Sequence, residues 1–263
     1  MRHERTARAH RQSTMTGTLS IIGLGPGDPN LLTPQATTAL TQANHVLGYT
    51  TYLARLPCLP HQTHHPTDNR EELHRARHAL DLALQGHQVA IVSGGDPGVF
   101  AMASAVFEAL DHGPETWRSL DIQIIPGISA MFAAAARLGA PLGHDFAVLS
   151  LSDNLKPWPL ILHRLTTAAS AGFVLALYNP TSKARPWQLQ VALDALRPIL
   201  PPTTPIAFAT AISRPDERLT LTTLTEADPT VADMRTLVLI GSAQSRLIPH
   251  PGGAWLYTPR YAT

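Results

Sequence analysis

Two glycine-rich segments of this chain offer backbone, more than side chain, for chemistry: Gly23-Leu24-Gly25-Pro26-Gly27-Asp28 and Ser93-Gly94-Gly95-Asp96-Pro97-Gly98. Each follows a short apolar run, Leu19-Ser20-Ile21-Ile22 in one case and Val89-Ala90-Ile91-Val92 in the other. Glycine lacks a Cβ, so a bulky ligand approaches the main chain closely where a buried strand turns into a helix. A tight turn alone would ask for the same glycines. In the second segment the reading makes Asp96 the helix cap and Pro97 the first helical residue, ahead of a helix through Phe100-Ala101-Met102-Ala103-Ser104-Ala105-Val106-Phe107.

Missing residues narrow the ligand. The first segment departs from the dinucleotide fingerprint G-x-G-x-x-G, because Asp28 stands at the third glycine, where a carboxylate repels pyrophosphate, and Pro26 removes a backbone donor. No acidic residue ends the next strand-like run, Val46-Leu47-Gly48-Tyr49, to hold a ribose, and the lysine of a P-loop is missing. His61, His64 and His65 sit in a proline-rich stretch without the i, i+4 spacing of a helical metal site. They read as a surface loop, or, with Arg55 and Arg70, as charge balance for a large anion; no metal is expected. Neither a G-x-S-x-G elbow nor H-E-x-x-H occurs. The single cysteine, Cys58, leaves no internal disulfide and no four-thiolate cluster. The remaining chemistry then belongs to a bound organic cofactor, which the protein positions.

The elements that must do the positioning alternate between apolar strands and helices, as in an α/β protein. A helix is expected from Thr33 with Pro34 at its first position, and Leu32, Ala36, Leu40 and Ala43 on one side. Asp68-Asn69-Arg70-Glu71 resembles a capping box, opening a helix with Leu73, Ala76, Leu80 and Ala83 inward; His74, Arg75, Arg77, His78 and Asp81 are read as its solvated face. A strand at Ile122–Ile125, a Pro126-Gly127 turn and a helix from Ser129 to Leu138 closed by Gly139 follow. Beyond a weakly patterned stretch at Gly139–Asp145, strands near Phe146–Leu151, Phe173–Tyr178, Ile206–Thr210, Arg218–Thr222 and Thr236–Ile240 alternate with helices near Trp158–Ala169 and Trp187–Leu196. This half reads as a mixed sheet packed on helices. The expected organisation is therefore a solvated tail at 1–16, an N-terminal α/β domain at 17–142 and a C-terminal one at 143–263. Arg2, Arg5, Arg8 and Arg11 mark the tail, and Met15 stands just before the first strand as an alternative start.

Twenty basic residues against nineteen acidic ones give a net charge of +1, which supplies no bulk attraction for nucleic acid or an acidic membrane. No apolar run approaches membrane-spanning length and no signal-peptide core is seen, so a cytoplasmic location is the default expectation.

Taken together, Gly23–Pro29, Ser93–Gly98 and Pro126-Gly127-Ile128-Ser129-Ala130 resemble the three N-terminal signatures of the tetrapyrrole methylases. Gly143-His144-Asp145-Phe146, Ser150-Leu151-Ser152-Asp153 with Pro157-Trp158, and Ala176-Leu177-Tyr178-Asn179-Pro180 with Trp187-Gln188-Leu189 are similar to the branch acting at C-17 with ring contraction. The resemblance runs from about Gly17 to Arg246. It implies two α/β domains with the cofactor folded into the cleft between them, S-adenosylmethionine as methyl donor, precorrin-3B as tetrapyrrole substrate, and a homodimer. By matching residues it also implies cofactor contacts at Pro26, Gly94, Gly95, Asp96, Val99, Ser129, Ala130 and Asn179, with Ala209 and Gly241 in addition. The first loop, Gly25, Pro26, Gly27 and Asp28, is assigned to the tetrapyrrole. Ring contraction takes a proton from a hydroxyl, which makes Asp96, His144 and Asp153 the candidate bases. Methylation at C-20 or C-11, action on cobalt-factor III, and binding without turnover are the alternatives.

The chain departs from the family at Thr210-Ala211-Ile212-Ser213-Arg214-Pro215-Asp216-Glu217, where relatives usually carry Arg-Asn-Ala-Gly ahead of Arg-Pro-Gly-Glu. Gly241-Ser242-Ala243-Gln244-Ser245 is a shifted form of the family's Gly-Asn-Ser-Gln-Thr.

Overall fold

Short runs of aliphatic and β-branched residues recur along the chain and become strands, most of which pair with strands distant in sequence. The computed structural model describes residues 17–261; the arginine-rich stretch read as a tail, with Met15, lies outside them. Contacts divide the chain into two units. One comprises the chain up to Ile22, Pro34–Ser93 and Ala101–Pro126; the other comprises Gly23–Thr33, Gly94–Phe100 and the chain from Gly127 onward.

The first unit contains β1 (Thr18–Gly23), α1 (Pro34–Gln42), β2 (His45–Tyr49), α2 (Thr50–Leu53), β3 (Thr63–Thr67), α3 (Glu72–Leu84), β4 (Gln88–Ser93), α4 (Met102–His112) and β5 (Asp121–Ile125). The strands form one sheet in the order β3-β2-β4-β1-β5, in which β2 runs parallel to β3 and β4, and β1 parallel to β5. Leu19, Ile21, Leu47, Val89 and Ile91 bury one face against Ala76, Ala79, Leu80 and Ala83 of α3 and Met102, Val106 and Ala109 of α4.

Three expectations change here. The polar face of α3 is not uniformly solvated, because Arg75 is buried, its guanidinium bonded to Thr67 Oγ1, the Asp68 carbonyl and Met102 Sδ. A buried cation needs such partners. Asp81 likewise accepts from the Trp117 indole at 3.1 Å. Of the capping box only half forms: the Glu71 carboxylate accepts the Asp68 amide at 2.7 Å, while Asp68 caps nothing. Finally, His64 and His65 lie in edge strand β3 and not in a loop. The His65 Nε2 stands 2.9 Å from His45 Nδ1, and the rings of His87, His45, His65, His78 and His74 follow one another at 4.6, 5.2, 4.9 and 6.5 Å. Among the described residues no group of three His, Cys, Asp or Glu is placed to hold a metal ion.

The second unit contains α5 (Ala130–Leu138), β6 (Gly139–Ala140), β7 (Phe146–Ser150), α6 (Trp158–Ser170), β8 (Val174–Tyr178), α7 (Gln188–Leu196), β9 (Pro205–Thr210), β10 (Arg218–Thr223), β11 (Thr236–Ile240), β12 (Arg246–His250) and β13 (Gly253–Tyr257). Its main sheet has the order β10-β9-β11-β8-β7, with β7 and β8 parallel and the other neighbours antiparallel, so the expected mixed sheet is present. Alternation divides the strands between two cores. Leu175, Leu177, Ile206, Phe208, Val238 and Ile240 meet α6 and α7, whereas Ala176, Ala207, Ala209, Leu237 and Leu239 meet Met131, Ala134 and Leu138 of α5. That second packing ties α5 to the residues that follow it. The change of unit falls at Gly127, ahead of α5, and not at 143.

Candidate active site

The glycine loops and the Pro126-Gly127 turn meet within the second unit. Gly25 and Gly95 exchange backbone hydrogen bonds, amide to carbonyl, at 3.1 and 2.9 Å, and both take φ of +67°. Gly127 is drawn against the same spot: a Cβ there would lie 2.3 Å from the Gly95 carbonyl oxygen, nearer than any side chain tolerates. The two segments read from sequence as separate binding loops are thus one bonded piece of backbone.

Asp96 holds that piece together, which corrects its reading as a helix cap. Its Oδ1 accepts the Gly98 amide at 2.8 Å and its Oδ2 the Gly127 amide at 3.1 Å. The helix begins later, at Met102, whose amide donates to Ser93 Oγ at 3.1 Å. Pro97 is not helical either, because Phe100 takes φ of +52° and interrupts any helix before Ala101. Val99 donates its amide to the Asp96 carbonyl at 3.3 Å and completes the turn. In the first loop the Asp28 carboxylate caps a short turn by accepting from Asn30, and the buried Pro26 offers its carbonyl to Arg214 Nε at 3.3 Å.

Ser129 and Ala130 open α5. The Ser129 hydroxyl bonds to the Tyr178 phenol, which also accepts the Met131 amide at 3.1 Å. Burial raises the Tyr178 pKa, the neighbouring Asp96 charge adds to this, and the phenol stays protonated. Asn179 is left-handed, φ +51°, a conformation asparagine tolerates, and its Nδ2 donates to Ser150 Oγ at 2.9 Å.

Strand direction decides which candidates share an end of the sheet. Ala209 pairs with Leu237 and Val238 with Leu177, so Ser150, Asn179, Ala209 and the start of β11 lie at one end. Gly241 follows β11 at the other end, its amide bonded to the Pro205 carbonyl, and His144 precedes β7 at that same end. A five-residue strand, about 16 Å, separates Gly241 and His144 from Asn179. The structure therefore does not bring these two to the other candidates. His144 Nδ1 accepts the Asp145 amide at 2.7 Å.

Asp153 is at the Asn179 end but already engaged. Its Oδ1 accepts from Arg185 Nη1 and from Gln188 Nε2, each at 3.0 Å. The Arg185 hydrogen bond holds its carboxyl below the usual carboxylate range, which makes it a fixed anion and a weak base. Arg185 Nη1 also reaches Ser152 Oγ and Asn154 Oδ1, so one guanidinium pins the whole turn after β7. Tyr178, Phe100, Arg185 and Arg214 were not among the expected site residues. Of these Tyr178 had a signal, since it directly precedes the Asn-Pro pair. A groove of about 350 Å³ in the first unit, lined by Thr18, Ser20, Gln35, Gln42, Gln88 and Gln123 among others, includes none of these residues.

A set of close-packed glycines with amides and carbonyls, an asparagine and no phosphate-binding lysine suits a ligand that is large and only locally charged. A family model described as Tetrapyrrole (Corrin/Porphyrin) Methylases matches residues 18–228. The chain belongs to this methylase family. A Sinorhizobium protein named precorrin-3B C(17)-methyltransferase is 54% identical over 94% of this chain and 98% of its own length. The crystal structure of the methyltransferase CobJ superposes with a TM-score of 0.88 at 50% identity, covering 92% of this chain and all of that one. A uroporphyrin-III C-methyl transferase from Thermus thermophilus, solved in complex with S-adenyl homocysteine, aligns with a TM-score of 0.63 at 26% identity over 86% of this chain and 98% of that one. The tetrapyrrole methylase fold and methyltransferase class expected from the motif blocks are thus confirmed. Ala211 and Ser213, where the methylase pattern has asparagine and glycine, take φ of +49° and +59°, so the left-handed backbone is kept with less suitable side chains.

Proposed function

We propose that this chain transfers a methyl group from S-adenosylmethionine to C-17 of precorrin-3B, with ring contraction to precorrin-4, in cobalamin biosynthesis. The observation that carries the reading is the 54% identity to the Sinorhizobium protein, which extends through both units and all of its length but 2%. The cofactor fits the loops on their own geometry. Gly94 and Gly95 present bare backbone, and an added Cβ at Gly95 would find no atom nearer than 3.6 Å, so one side of the loop is open. Gly94, Gly95, Val99, Ser129, Ala130, Asn179 and Ala209 would hold the cofactor.

When bound, the cofactor supplies an activated methyl on a sulfonium, so no protein nucleophile is required. The chain's part is placement. Asp96 fixes the spacing between the Gly94-Gly95 turn and the Pro126-Gly127 turn through its two amide contacts. Tyr178 fixes the start of α5 and, being held protonated, adds no charge beside the loop. Holding reactants in line is worth several kcal/mol of barrier, on the order of 7–11 at best. Asp153 keeps its turn closed as an anion paired to Arg185 and does not move a proton. A cytoplasmic homodimer completes the proposal; sedimentation velocity checks the dimer. Incubation with precorrin-3B and carbon-13 methyl-labelled cofactor should place the label at C-17 by NMR. Label at C-20 or C-11, or turnover of cobalt-factor III alone, would move the assignment, and cofactor binding without transfer to any of them would end it.

A further inference from the structure

The chain contains two lysines, Lys156 and Lys183, the other basic residues being arginines, and both stand in the segments that follow β7 and β8. Lys156 is the better defined. Its Nζ lies 5.6 Å from the centroid of the Phe100 ring, and that ring meets Tyr178 edge-on at 5.6 Å. Phe100 ends the Gly-Gly-Asp loop, holds a left-handed backbone that costs a bulky residue about 1–2 kcal/mol, and still leaves half of its surface exposed. The strain thus holds an apolar ring half in the open, packed edge-on against Tyr178 and next to a cation.

Lys156 has no counter-ion among the described residues. Asp153 is the only carboxylate between Leu151 and Pro157, and Arg185 and Gln188 occupy it. Among the described residues Lys156 takes part in no ion pair, and the like charge of Arg164 on α6 acts on it. Partial burial and Arg164 both lower its pKa, as expected of an ammonium waiting for an anion. The turn that carries it is held at one end by Arg185 and enters α6 through Pro157 at the other, so the ammonium is delivered to a defined place.

We infer that Lys156 holds an acidic side chain of the tetrapyrrole, with the Phe100 ring as an apolar face beside it, and so sets the affinity for that substrate without acting on the cofactor. The inference rests on the methylation reading above. A reduced tetrapyrrole bearing acetate and propionate groups is a polyanion, and a chain with a net charge of +1 attracts it only through such local cations.

Lys156→Met should raise KM for precorrin-3B about tenfold, the loss of one charge-assisted hydrogen bond, with kcat nearly unchanged. The calorimetric affinity for S-adenosylhomocysteine should not move, and Lys156→Arg should recover most of the KM. A second readout needs no turnover: after reductive carbon-13 methylation, which keeps the charge, the Lys156 resonance, identified by its loss in Lys156→Met, should shift on adding the octacarboxylate uroporphyrin III. A wild-type enzyme that turns over normally while this resonance stays still and the Met variant keeps its KM overturns the inference alone. A resonance that shifts in a protein transferring no methyl overturns the activity reading alone. A Lys156→Met variant that loses S-adenosylhomocysteine affinity instead of tetrapyrrole affinity overturns the inference about Lys156.

Discussion

Ser213 shows what a single misplaced side chain costs at this site. It is buried, left-handed at φ +59°, and its hydroxyl has no hydrogen-bond partner. Strain and the orphaned hydroxyl each cost about 1–2 kcal/mol, and glycine would give back about 1 kcal/mol in chain entropy. Ser213→Gly should therefore stabilise by about 1–3 kcal/mol, seen as a rise of about 2–4 °C in Tm for each kcal/mol gained. Gly127 works in the opposite sense. A methyl there collides with the Gly95 carbonyl, so Gly127→Ala should weaken S-adenosylhomocysteine binding at least about tenfold by calorimetry, through displacement of the loop. At this scale sequence spoke clearly through glycine and proline, which mark where backbone must bend. It was silent on Asp96, whose side chain looks like a helix cap until Gly127, thirty-one positions away, is brought to it.

The elements themselves were legible where hydrophobic period is strong: β1, β4, β5, β7 to β11, α5, α6 and α7 fall where the pattern put them, within a residue or two at their ends. What the pattern could not carry is direction. β11 runs antiparallel to β8, and this alone sends Gly241 to the far end of the sheet from Asn179. Edge strand β3, with two histidines and a proline, has no apolar alternation and reads as loop. The start of α4 was also misjudged, because the side chain that receives its first amide, Ser93, stands nine positions back at the end of β4. Tyr178→Phe removes the acceptor of the Met131 amide and the partner of Ser129, both buried, and should cost about 1–3 kcal/mol. Faster hydrogen exchange confined to the first turn of α5, with the Phe100 contact retained, is the accompanying signature.

For the molecule as a whole, the run of histidines from His87 to His74 makes acid the weak side of the first unit. Burial lowers the pKa of both His45 and His65; like charges add to this, from His87 and His78 on His45 and from His78, His45 and His64 on His65. A depressed histidine pKa means that the unfolded chain binds protons first, so this stability is complete above pH 6.5 and is lost as pH falls from there toward the lowered values. The melting temperature should drop as pH falls below 6.5, before most carboxylates titrate, and His65→Gln should flatten that drop.

The same division of the chain also sets an order of events during synthesis. All five strands of the first sheet lie between Thr18 and Ile125, and they can pair once the first half has left the ribosome. The second unit borrows Gly23–Thr33 and Gly94–Phe100 from that half, yet needs β11 from near the other end to complete its sheet. The two glycine loops are therefore made early and wait longest for their partners. In pulse-labelled refolding, amides of β1 and β4 should gain protection before the Gly25–Gly95 bridge does, and simultaneous protection would show that the two units fold as one.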